Sequence, residues 1–89
     1  MDYIVDLKNV CDEKEFHQAL TIPLPDYYGN NLDALYDVMT SYDKPVKIIF
    51  INTCRFKKKN EEFVSLFLNM CDDVTKTNEN IEIFFCEGD

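Results

Sequence analysis

The sequence predicts an α/β fold built on a small parallel sheet, and three observations point there. Short β-branched and aromatic runs at Tyr3–Leu7, Val46–Ile51 and Ile81–Phe85 read as strands. The chain between each successive pair carries apolar residues at helical spacing, so the order is β, α, α, β, α, β. Helical spans between strands call for right-handed crossovers and hence parallel pairing. The composition agrees, with 46% hydrophobic residues but only two Gly and three Pro, which argues against both disorder and a loop-rich β architecture.

Taken in order, Tyr3-Ile4-Val5-Asp6-Leu7 opens as a strand. Asp12 and Glu15 then form a capping box, with Cys11 and Phe16 in staple positions, so a first helix starts near Asp12. Phe16, Ala19 and Leu20 are its buried edge, and Pro23 and Pro25 stop it. His17 reads as a surface or edge residue, having no Cys, Ser or carboxylate at a useful catalytic spacing. In the following loop Gly29 is the candidate for a positive φ, and Asn30 or Asn31 for the cap of a second helix running to about Tyr42.

Leu32, Leu35, Met39 and Tyr42, at offsets 0, 3, 7 and 10, are the core face of that second helix. Val46–Ile51 is a nearly continuous apolar run, the mark of a strand covered by other elements. Arg55, Lys57, Lys58 and Lys59 read as a solvated loop, since nothing Gly-rich or aromatic accompanies them to make a phosphate site. Asn60 can cap a long third helix, whose Phe63, Leu66, Phe67, Met70, Cys71 and Val74 fall at offsets 0, 3, 4, 7, 8 and 11. Ile81–Phe85 closes the chain as a strand, and Cys86 at its end is assigned to packing along with Cys71.

Eighty-nine residues make a single domain, 1–89, without repeats or linkers. At this size roughly two-thirds or less of the chain's surface is buried on folding, so stability depends on dense apolar packing. Seventeen acidic against nine basic residues leave a formal charge of −8, which favours basic partners and disfavours nucleic acid as a direct ligand. The four cysteines form no C-x-x-C pair and the one His stands apart from them, so neither a zinc site nor any other metal or cofactor is expected. The N-terminal residues carry neither a basic nor an apolar leader region, and no apolar run approaches the roughly 20 residues of a membrane span. The expectation is a cytoplasmic, reduced protein, monomeric when free.

The functional signal lies on the second helix. Asp33 and Asp37 stand at i and i+4, opposite the core stripe, with Tyr36 on the flank. Such a like-charged pair costs a helix roughly 0.2–0.5 kcal/mol. Asp is also a poor residue inside a helix; the N-terminal dipole excuses Asp33 but not Asp37. Local rules broken in this way tend to mark function. Together with Tyr27 and Tyr28, the pair makes an acidic and aromatic patch suited to a basic partner.

The run Leu24-Pro25-Asp26-Tyr27-Tyr28-Gly29-Asn30-Asn31-Leu32-Asp33-Ala34-Leu35-Tyr36-Asp37 resembles the signature of the barstar family, intracellular inhibitors of barnase-type ribonucleases. Weaker similarity extends to Phe16–Leu20 and Ile81–Phe85. The resemblance implies a three-stranded parallel sheet packed against helices in two layers. It also implies that the second helix and its preceding loop enter the nuclease active site, with carboxylates at the positions of substrate phosphates. Carried over position by position, Asp37 is the central charge, Asp33 the supporting one, and Tyr27, Gly29 and Asn31 belong to the loop contact. Tyr36 stands where the family pattern has Trp, and Asp73 aligns with a Glu that makes a peripheral ion pair. Asn30 replaces a residue that is often acidic. Tyr28 rather than Tyr27 is the candidate for a half-buried anchor, and Asp73 reads equally as a solvated helix end.

An enzyme is the rival class, with Asp33, Asp37 and Asp73 as cation ligands or an acid–base pair. The sequence offers no nucleophile beside a base, no phosphate-cradling loop and no sign of a cleft around the two carboxylates. The expected function is therefore inhibition of a basic secreted-type ribonuclease. The alternative is a barstar-like module or antitoxin directed at a different basic toxin.

Overall fold

The computed structural model describes residues 1–87; Gly88 and Asp89 of the expected 1–89 domain lie outside the described residues. Strand β1 (Asp2–Asp6) leads to helix α1 (Glu13–Ala19), helix α2 (Leu32–Thr40) and strand β2 (Val46–Ile51). Helices α3 (Cys54–Lys59) and α4 (Glu61–Thr77) precede the last strand, β3 (Ile81–Phe85). The sheet has the order β1-β2-β3 with both pairs parallel. The fold class is thus the expected one, a small parallel sheet with helices packed on it.

Register separates the two faces of the sheet. One face carries the rows Tyr3–Ile48–Ile83 and Val5–Phe50–Phe85, and the other the rows Asp2–Lys47–Glu82 and Ile4–Ile49–Phe84. Val5, Ile48 and Phe50 are fully buried, whereas Ile4 is 55% and Phe84 44% exposed. The helices therefore cover one face only. The expectation that β2 is covered by other elements holds for one face, while Ile49 and Ile51 stay half-buried on the open one.

The core is an aromatic cluster centred on Phe16. Its ring lies 5.1–5.8 Å from those of Phe50, Phe56, Phe63 and Phe67, centroid to centroid, which joins α1, β2, α3 and α4. Such pairs contribute about 0.5–1.5 kcal/mol each beyond their area burial. Asp12 caps α1 by accepting from the Glu15 amide, and Glu15 reaches back to the amide of Cys11, one residue earlier than a standard capping box. Cys11 itself is exposed, and Val10 packs on the core instead.

Three local expectations change. The basic residues Arg55 to Lys59 form helix α3 and not a loop, because Phe56 plugs into the aromatic cluster and holds the segment down while the lysines stay in solvent. Asn60 precedes α4 but makes no cap bond; its amide goes to the Cys11 and Phe56 carbonyls, at 2.9 and 3.1 Å. Cys86 lies just beyond β3 and is exposed, whereas Cys71 is buried, with its thiol pushed up to about 12 by burial.

Candidate functional site

The loop that feeds α2 is held by local chemistry. The Tyr28 amide donates to the Pro25 carbonyl at 3.0 Å, closing a tight turn. The positive φ that the turn needs falls on Asn30 (φ 51°) and not on Gly29, which adopts an ordinary φ. Asn tolerates this region because its short polar side chain can bond locally. Asn31, not Asn30, is the helix cap: its Oδ1 accepts from the Ala34 amide at 2.8 Å, and its Nδ2 donates to the Gly29 carbonyl at 3.2 Å. One side chain thus joins loop and helix. Gly29 is needed for space, since a Cβ there would sit 3.1 Å from Asn31 Nδ2.

Leu35 and Met39 are the fully buried residues of α2, with Leu32 half-buried. The helix ends at Thr40, so Tyr42 follows it, half-buried, its hydroxyl 3.4 Å from the Pro23 carbonyl. Asp33 and Asp37 are both exposed, as the spacing requires. The two nonetheless open onto different hollows. Asp37 borders a cleft of about 520 Å³ walled by Tyr27, Tyr28, Gly29 and Val38. Asp33 and Tyr36 border a groove of about 360 Å³ against α4, completed by Leu66, Met70 and Asp73. Helix α2 is therefore a ridge between two concavities, and Asp37 has the cleft that sequence reasoning did not foresee.

Of the expected site residues, Tyr27, Gly29 and Asp37 line the cleft and Asp33, Tyr36 and Asp73 the groove, whereas Asn31 lines neither and stands as the cap at the start of α2. Tyr27 is 89% exposed at the rim of the cleft, whereas Tyr28 is half-buried and serves as an anchor. Among the described residues, the carboxylates of Asp33, Asp37 and Asp73 make no ion pair, and none of the three accepts a side-chain hydrogen bond. Two ion pairs do occur among the described residues, Lys57–Glu87 and Lys76–Asp72, and both lie elsewhere. The site carboxylates thus face solvent uncompensated, on a chain of net charge −8.

Two supports of this site were not evident in the sequence. His17 is buried, contrary to the expected surface or edge position, and its Nδ1 lies 2.6 Å from the Tyr28 hydroxyl. Its Nε2 makes no hydrogen bond and has the Glu13 carboxylate 3.5 Å away. Burial pulls the His17 pKa below its usual value, opposed by Glu13, and burial also pushes the Tyr28 phenol up. The second support is Asn78, whose buried amide donates to the Met39 and Tyr42 carbonyls at 3.2 and 2.9 Å and so fixes the C-terminal end of α2. The available signal was an Asn directly after a helix, the usual place for a polar end cap.

Leu66 also departs from expectation. Its spacing places it in the apolar stripe of α4, yet it is 55% exposed and lines the groove beside Asp73. The buried residues of α4 are Val64, Phe67, Cys71 and Val74. The described residues include no group of three or more His, Cys, Asp or Glu that could hold a metal ion, and no described helix is long and apolar enough to cross a membrane.

Two comparisons bear on this arrangement. The sequence model of the family described as "Barstar (barnase inhibitor)" matches residues 1–87. A Bacillus subtilis (strain 168) protein, "Putative ribonuclease inhibitor YrdF", is 42% identical over 75 residues, which cover 80% of this chain and 74% of that protein.

Proposed function

Because the chain belongs to the barstar family, we propose that it is a non-catalytic protein inhibitor of a small basic ribonuclease and acts by occluding the nuclease active site one-to-one. In this reading α2 and the loop before it enter the active site, and the carboxylates take the positions of substrate phosphates. Ionised carboxylates accept charge-assisted, often bidentate, bonds from Arg, as phosphates do. Asp37 is the central charge and Asp33 the supporting one. Tyr27, Gly29, Asn31 and Tyr36 complete the contact, with Asp73 at its edge.

The observation that carries this reading is Asp37: an exposed carboxylate inside a helix, at the wall of a cleft, with no internal partner among the described residues. A residue that serves folding would be expected to bond within the chain. The chain works in this reading as a cytoplasmic monomer without a cofactor, and its net charge steers a basic target toward it.

The test is a titration against a small barnase-type ribonuclease, with RNA cleavage as readout. Stoichiometric loss of cleavage is the expected result, and association should slow as salt rises. A second reading rests on Tyr36 and Asp73, which stand where the family pattern has Trp and Glu. It makes the target a different basic toxin, and full RNA cleavage in the presence of excess inhibitor would select it.

A further inference from the structure

All-parallel sheets are almost always covered on both faces, yet the face formed by Ile4, Ile49 and Phe84 lies open. These residues stand side by side in register across the three strands and form an apolar row. The same face carries Asp2, Lys47 and Glu82 in the neighbouring row and Asp6 at the far end of β1. Lys47 is its one strand cation, and its ammonium is held 5.7 Å from the Phe84 ring centroid. Asp6 is kept ionised by bonds from the Asn52 amide and the Lys8 backbone N–H, which hold its carboxyl below the usual range. The result is an apolar row bordered by three carboxylates, with Lys47 among them and the Lys8 ammonium acting on Asp6 from outside the strands.

We infer that this open sheet face is a second docking surface, for an amphipathic helix of another protein whose apolar stripe is bordered by Lys and Arg. The apolar stripe would cover Ile4, Ile49 and Phe84, and the basic border would meet Asp2, Asp6 and Glu82. A helix is the element that ordinarily covers a parallel sheet. A second copy of this chain fits poorly, because face-to-face packing would bring the two sets of carboxylates together on chains that each carry −8. The surface is separate from the ridge of α2, so the inference does not depend on the nuclease reading.

The experiment titrates the isotopically labelled full chain with a synthetic helical peptide that has a leucine face bordered by lysines. Its control is the same peptide with glutamates in place of the lysines. The inference expects amide shifts concentrated on β1, β2 and β3, and no binding of the acidic peptide. Affinity should fall about tenfold or more in Ile4→Thr/Phe84→Thr, which removes apolar area without changing charge, and should hold in Asp33→Ala/Asp37→Ala. Both positions are exposed, so the fold should survive, as circular dichroism would verify. Shifts confined to α2, or an affinity unchanged in Ile4→Thr/Phe84→Thr, overturn the inference. So does sedimentation showing the chain alone to be a dimer that the same double variant dissolves, since the occupant would then be a second copy.

Discussion

The Tyr28 hydroxyl sits 2.6 Å from His17 Nδ1 and ties the loop before α2 to the first helix through a partly buried bond. With the Glu13 carboxylate facing Nε2, the neutral ring carries its proton on Nε2, so the phenol donates to Nδ1. A loop that carries Tyr27 and Gly29 to the cleft is thereby anchored one residue away from both.

The pairing makes stability depend on pH. Burial holds the His17 pKa below its unfolded value, so the unfolded chain binds the proton more readily. The contribution is full above about pH 6.5 and is lost as pH falls from there through the lower folded-state value. Urea unfolding should show a midpoint that drops between about pH 7 and about pH 5. His17→Asn keeps an acceptor near the position of Nδ1 without a titrating ring, and should flatten that dependence. Equal slopes in the two proteins would rule out His17 as the cause.

Gly29→Ala should be destabilising although Gly29 has an ordinary φ. The added Cβ would stand 3.1 Å from Asn31 Nδ2, and that side chain cannot move freely because it is bonded to both Gly29 and Ala34. Disturbing the cap costs about 0.5–2 kcal/mol. Urea denaturation of the variant measures it, and a cost indistinguishable from zero would mean that the cap yields without loss.

Asp37→Ala should separate stability from binding. Asp37 makes no internal side-chain bond, and the substitution relieves the like-charged pair with Asp33 and installs the best helix former. The free protein should gain about 0.5–1 kcal/mol or stay level. Nuclease affinity should fall most for this variant, less for Asp33→Ala and Tyr27→Ala, and least for Asp73→Ala. Calorimetric titration across the four gives the order; dominance of Asp73 would place the contact centre on α4.

Asn78→Ala should be costly despite its distance from the cleft. It leaves the Met39 carbonyl without the Asn78 amide in a buried setting, a loss of about 1–3 kcal/mol. The urea midpoint should fall at unchanged slope. A neutral result would show that α2 is held by packing alone.

Periodicity made most of the fold legible, because each strand and helix buries a face at its own spacing. Leu35, Met39, Phe67 and Val74 were identified this way. Helix α3 escaped because six residues with one buried Phe carry no period, and their charge reads as loop. Leu66 escaped for the opposite reason: it continues an apolar stripe wider than the neighbouring layer can cover. The site carboxylates were legible as breaches of helix rules. The links that position them, His17 to Tyr28 and Asn78 to Met39, span 11 and 39 residues, and no local pattern encodes such pairs.

Helix α2 is fastened at both ends, by Asn31 at its start and Asn78 at its finish. Ordering one residue's backbone costs about 1–2 kcal/mol, so a segment of this length that folded only on contact would forfeit on the order of 10 kcal/mol. Here that loss belongs to the folding of the free chain. In the proposed reading, Asp33, Tyr36 and Asp37 would meet a target on backbone that is already in place, and their interaction energy would carry through to affinity with little conformational entropy left to lose.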